Sequence, residues 1–328
     1  MKAAPCILLL LLLLVIYSGC SGTSSSLPVE STQPSQLFKT RELSIPADAV
    51  KMTPEMDVLP PILHSGDYYE PVPLSPVINT AGGEDSPFIL GDASALYFFF
   101  TPDVNIPAEE QLFDGVTGIW VSYRKDGQWQ TAQRVLLQDA DELALDGCEY
   151  VRGNEIWFCT ARVGNYRGID IWVAEFRDGI WTDWKNAGEK LNVEYKIGEF
   201  HITSDGTELY FHSDRAGGTG GVDIWVSRMI NGEWQTPENV TVVNTPETEG
   251  WPFITADGSE LWFTRFYLGS PAIFVSRKTN GQWGEPELII SQFAGEPTLD
   301  TAGNIYFTHH YYVDGKMVEA DIYVAYRK

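Results

Sequence analysis

The stretch LYFHSDRAGGTGGVDIWVSR (Leu209–Arg228), followed after two residues by NGEWQTP (Asn231–Pro237), decides the fold. It holds two short apolar-aromatic runs, each bounded by Gly, Asp or Asn, and then a Gly-x-Trp after a turn dipeptide. Such runs read as β-strands, and Asn-Gly supplies the positive φ that a tight hairpin turn needs. No 3.6-residue period runs through it, so a helical solenoid is excluded.

The same three patterns recur in fixed order on either side. LYF at Leu96, IWF at Ile156, LYF at Leu209, LWF at Leu261 and IYF at Ile305 form one series. GIWVS, DIWVA, DIWVS, AIFVS and DIYVA form the second, with Ile at 119, 171, 224, 273 and 322, spaced by 52, 53, 49 and 49 residues. DGQW, DGIW, NGEW and NGQW, ending at Trp129, Trp181, Trp234 and Trp283, form the third. About four short strands per unit of roughly 50 residues is the signature of a propeller blade, and a self-similar period of this length points to radial repetition.

The third pattern is missing after the last DIYVA, because the chain ends at Lys328. A copy stands at the front instead. Gly66-Asp67-Tyr68-Tyr69-Glu70-Pro71 followed by Ile78-Asn79-Thr80 parallels Gly232-Glu233-Trp234-Gln235-Thr236-Pro237 followed by Val243-Asn244-Thr245. The spacing predicts an all-β, five-bladed propeller over 66–328 with four-stranded blades, its ring closed by an N-terminal strand (about 66–80) that completes the last blade and removes open sheet edges. The repeats resemble the TolB-type, WD-repeat-like propeller family, most specifically in Leu209–Pro237. That resemblance implies the propeller fold. TolB's own N-terminal α/β domain and six blades have no counterpart here, so its partners are not carried over.

Ahead of the repeat, residues 1–19 read as a signal peptide: Lys2, a ten-residue apolar run Ile7–Ile16, then Ser18-Gly19. The run is too short to span a bilayer, which takes about 20 residues. Cys20 follows, and the segment resembles the lipobox of bacterial lipoproteins, which implies lipidation at Cys20 and an extracytoplasmic, membrane-anchored protein (on the outer membrane where the host has two membranes). Residues 20–65, rich in Ser, Thr and Pro, read as a flexible tether. The net charge of −23, from 45 acidic and 22 basic residues, disfavours nucleic acid as a partner.

Four cysteines are present. Export permits a disulfide between Cys148 and Cys159. A two-residue turn at Gly153-Asn154 sets Arg152 against Glu155, Tyr150 against Trp157, and Cys148 against Cys159; the same count makes the last a hydrogen-bonded pair, a less comfortable site for a cross-strand disulfide. The Asp before Ile-Trp (Asp170, Asp223, Asp321) and the Arg after the second strand (Arg162, Arg215) are expected to build the blades, accepting turn amides or pairing between blades.

First strands line a propeller's channel. Aligning on the LYF cores puts Ser86, Glu149, Glu199, Trp251 and Glu296 near one level, with Glu84 and Glu249 two residues earlier. Glu84, Glu149, Glu199, Glu249 and Glu296, with His201, are the candidate channel-mouth binding residues. Arg162, Arg215, Arg265, His309 and His310 lie around them. Glu149, Glu199 and Glu296 are the candidate ligands for Ca²⁺, which favours oxygen donors; a solvated acidic rim is the plainer alternative. Long insertions at Pro102–Thr117 and His310–Ala320 are further candidate binding loops.

The expected function is a binding or scaffold module that presents a propeller face to a protein or glycan partner in the cell envelope. The alternative is a glycoside hydrolase-like enzyme, or a metal-dependent binder, using the channel-mouth carboxylates. No G-x-S-x-G motif for a propeller peptidase occurs.

Overall fold

The computed structural model describes residues 39–139 and 142–328. The predicted signal peptide, Cys20 and the first part of the predicted tether lie outside the described residues. The fold is all-β and of the propeller type, an up-and-down succession of antiparallel strands. The first run is Gly83–Ile89, Ala95–Thr101 and Gly118–Lys125, with Gln128–Trp129 and Gln133–Arg134 both on the third strand. Ala144–Arg152, Glu155–Arg162, Asp170–Arg177 and Ile180–Asn186 follow as a sheet of four. Phe200–Ile202, Glu208–Ser213 and Asp223–Ile230 carry Glu233–Trp234 and Glu238–Asn239. Glu249–Ile254, Glu260–Tyr267 and Ser270–Thr279 carry Gln282–Trp283 and Glu287–Ser291. Ala294–Leu299, Ile305–Val313 and Lys316–Ala325 come last.

The hairpins have the turns their dipeptides demand. Asn231 and Gly232 stand at φ 52° and 81°, and Asn280 and Gly281 at 52° and 79°, the left-handed pair of a tight hairpin turn. The predicted insertion at His310–Ala320 is no loop: it is the paired end of the last hairpin, turning at Asp314-Gly315. Residues 102–117 do form a loop, with one helical turn at Ala108–Gln111.

The front of the chain pairs with its end. Val72 lies opposite Val324 and Pro73 opposite Tyr323, Tyr68 bridges Arg327, and Asn79 exchanges side-chain hydrogen bonds with the main chain of Ile322. A single parallel pairing, Ala320 with Gly83, joins the last three strands to the first run in one hydrogen-bonded sheet of nine strands.

Aromatic rings knit neighbouring sheets together. Phe88, Tyr150 and Phe200, from three successive first strands, meet edge to face at 6.0 and 6.1 Å between centroids, the geometry that aromatic quadrupoles prefer. Asp170 accepts from the amides of Tyr166 and Arg167 and from Asn186. Asp223 likewise takes the amides of Thr219 and Gly220 and the amide group of Asn239. These Asp residues build turns, as their recurrence implied.

Two further expectations need correction here. Residues 39–65 are not all tether. Arg41 is buried against Glu84, Lys51 reaches Asp321 and Glu319, the amide of Met52 donates to Glu319, Asp57 pairs with His309, and Ile62–Leu63 adds a strand to Glu287–Ser291. The folded body therefore includes Arg41 and does not begin at Gly66. The strand register also slips by one. Arg152 does face Glu155 and Tyr150 does face Trp157, but a bulge then sets Gly147, not Cys148, against Cys159. Cys148 still forms a disulfide with Cys159, with Cα atoms 5.1 Å apart.

Candidate metal centre

The bulge recurs. The first strands break register between Asp85 and Phe88, Gly147 and Tyr150, Gly250 and Phe253, and Gly295 and Thr298. One residue in each takes positive φ: Ser86 (57°), Cys148 (54°), Trp251 (53°) and Glu296 (58°). A bulge adds a residue to one strand and re-aims its side chains. By this register Cys148, not Glu149, is the counterpart of Ser86, Trp251 and Glu296. The predicted level of carboxylates was therefore one residue out in the second sheet.

One of these four residues, Glu296, belongs to the candidate site. Asp85, Glu296 and His310 offer one ligand atom each, all within 4.8 Å of one another, and among the described residues no other His, Cys, Asp or Glu trio is so placed. Glu296 Oε2 accepts from the Ser86 amide at 3.0 Å and from the Thr308 hydroxyl at 2.9 Å. The Thr308 hydroxyl also lies 3.1 Å from Asp85 Oδ1, and the Glu296 amide donates to Thr264 Oγ1 at 2.7 Å. Burial, reinforced by the adjacent charge of Asp85 and a hydrogen bond with it, pushes the Glu296 carboxyl well above the ordinary range. His310 is fixed by its main chain, whose amide donates to the Phe293 carbonyl. Its Nδ1 is buried and meets no partner among the described residues. Burial keeps the imidazole below its usual pKa, although Asp85 opposes this.

The other predicted site residues divide. Glu84 and Glu249 are structural: Glu84 takes Arg41 Nη1 at 2.8 Å and Glu249 takes Arg265 Nε at 2.7 Å. Burial nevertheless raises Glu84 to about 7 against the pull of Arg41. His201 is a core residue, its Nδ1 accepting from the Ile254 amide and its ring held between Tyr150 and Phe253. Glu199 is fully buried, its carbonyl accepting from the His212 amide. Glu149 is fully buried, and neither carboxylate oxygen meets a donor from another described residue. Burial, then the charge of Asp85, drives its pKa well up. Of the expected calcium ligands Glu149, Glu199 and Glu296, only Glu296 belongs to the trio. Asp85 was missed, although it sits between Glu84 and Ser86, two residues that the alignment had singled out.

No protein-family model matches the chain, and no curated protein does. Among solved structures it is similar to an endo-arabinase from Bacteroides thetaiotaomicron VPI-5482 (18% identity, 78% of this chain and 96% of that one, TM-score 0.47). It is also similar to TolB from Acinetobacter baumannii (14% identity, 76% of this chain and 56% of that one, TM-score 0.44). A third is a gluconolactonase from Xanthomonas campestris (13% identity, 91% and 99%, TM-score 0.44).

Proposed function

We propose that this chain is a five-bladed β-propeller, closed by Val72–Pro73 on the last blade and carried outside the cytoplasm on a lipidated Cys20, that binds a protein or glycan partner through a divalent cation. The observation that carries the reading is the trio Asp85, Glu296 and His310, whose ligand atoms lie within 4.8 Å of one another, with the buried Nδ1 of His310 making no hydrogen bond among the described residues. Three protein ligands leave coordination positions open, which a partner's carboxylate or sugar hydroxyls would fill. Carboxylate oxygens suit Ca²⁺ and Mn²⁺, and an imidazole extends the range to Zn²⁺.

A hydrolase reading is less well supported. Glycoside hydrolysis separates an acid from a second carboxylate, typically by about 5–5.5 or 6.5–9.5 Å. Asp85 and Glu296 instead bring ligand oxygens within 4.8 Å of each other and share the hydroxyl of Thr308. The test is thermal unfolding of the chain with Ca²⁺, Mn²⁺ or Zn²⁺ against chelator. A ligand that binds only the folded state at a hundredfold excess over Kd adds about 2.7 kcal/mol. A Tm rise abolished in Glu296→Gln supports the reading; no rise with any of the three metals rejects it.

A further inference from the structure

Three sheets place a guanidinium in the same surroundings, and one of the three obtains it from outside. In the fourth run, Arg265 from the second strand donates to Glu249 Oε1 at 2.7 Å and to the Val243 carbonyl at 2.8 Å, over the rings of Phe263 and Phe274. In the second run, Arg162 donates to Asp146 at 2.7 Å and to the Leu137 carbonyl at 2.8 Å, over Phe158 and Trp172. In the first run the strand position of Arg265 is taken by Phe100: Glu84 faces Phe100 in register as Glu249 faces Arg265. The guanidinium arrives from Arg41 instead. It donates to Glu84 Oε1 at 2.8 Å and to the carbonyls of Ile78 at 2.7 Å and Val77 at 2.9 Å, over Phe98, Phe100 and Trp120.

The acceptor side is complete without Arg41. Thr80 fixes the Glu84 carboxylate through its amide and its hydroxyl, both at 2.7 Å, as Thr245 fixes Glu249. The aromatic walls and the carbonyls belong to the sheet and its closing turn. The donor side is a peg: of residues 39–50, only Arg41 is buried, and it is 1% exposed while Leu43 is 81% exposed. A planar fork between a carboxylate, two carbonyls and aromatic faces is the geometry that selects guanidinium over ammonium.

We propose that the Glu84 socket is a guanidinium-binding site in its own right, filled in this chain by Arg41 as a tethered ligand. The ligand class is an arginine side chain or a small alkylguanidinium. The socket shares no ligand with the cation trio, so the two readings stand or fall separately.

The experiment is chemical rescue of Arg41→Ala in the full chain, read as Tm. Emptying a buried, paired site of this kind is expected to lower Tm by roughly 10 °C. Millimolar methylguanidinium should then recover at least a third of the loss. Methylammonium at the same concentration should not, nor should methylguanidinium added to Arg41→Ala/Glu84→Gln. If Arg41→Ala does not fold unaided, refolding yield with each additive replaces Tm and the same ordering is expected. The proposal is overturned if Arg41→Ala leaves Tm unchanged, if methylammonium rescues equally, if rescue persists without the Glu84 charge, or if neither additive restores Tm or yield.

Discussion

Cys148 is joined to Cys159 across a bulge, while Gly147 occupies the place directly opposite Cys159. The positive φ of Cys148 turns its Cβ toward the partner strand's cysteine. The bridge closes a loop with sequence separation 11, and closing a loop of about that length stabilises by roughly 3 kcal/mol through the unfolded chain. Cys148→Ser/Cys159→Ser should therefore lower stability by about that amount. Reductant should move the denaturant midpoint of the native chain to that of the variant. A midpoint insensitive to reductant would show that the bridge contributes nothing.

The cation reading makes a sharper demand on single residues than on the acidic cluster as a whole. Glu149→Gln and Glu199→Gln should retain a metal-dependent Tm rise, whereas Asp85→Asn and His310→Ala should lose it, since only the latter pair stands within ligand reach of Glu296. Titration calorimetry on the four variants separates the trio from the broader set of carboxylates expected at the start.

Arg265 and Glu249 form a pair in which the carboxylate is fully buried. Removing one partner of such a pair leaves a charge in a poor solvent and costs about 3–5 kcal/mol, while replacing both by apolar groups is often near neutral. Arg265→Met is expected to fall in that range, and Arg265→Met/Glu249→Leu to recover most of it. Urea unfolding of both variants gives the comparison directly.

Glu319 supplies a pH dependence. Burial and the neighbouring Asp321 raise its carboxyl to about 8 in the fold, against the attraction of Lys51, from a reference of 4.5. Between those values the folded chain holds a proton that the unfolded chain gives up, so this group makes stability fall as pH rises through the window. Glu319→Gln should flatten that slope. The urea midpoint measured across the interval for both proteins is the check, and parallel slopes would refute the assignment.

A chain cut to begin at Gly66 loses Arg41, Lys51, Asp57 and the Ile62–Leu63 strand at once. It leaves Glu84, Glu319 and Asp321 without their cationic partners and one sheet edge unpaired. It should unfold well below a chain beginning at Lys39 in a side-by-side thermal melt.

The repeat was legible because alternating strands and Asn-Gly or Asp-Gly turns are local signals: each hairpin is written within about twenty residues. The N-terminal strand was legible because its sequence copies another strand. The bulges were not, since one added residue such as Cys148 leaves the apolar pattern around it intact. Nor was the peg: Arg41 and Glu84 are 43 residues apart, and the Ser/Thr/Pro composition around Arg41 resembles that of the tether before it. Asp85 and His310 come together only through the pairing of the last strands with the first.

The stretch from Arg41 to Leu63 also sets an order of mechanical events. Tension drawn from the N-terminal side of the body reaches the guanidinium of Arg41 first, then the ammonium of Lys51 and the amide of Met52, then the carboxylate of Asp57, before it loads a main-chain ladder at Ile62–Leu63. The first resisting bonds are thus separate contacts, each to a side chain or carbonyl of the body, that yield one after another. A pull on this end is absorbed by a series of small releases before any sheet is asked to tear.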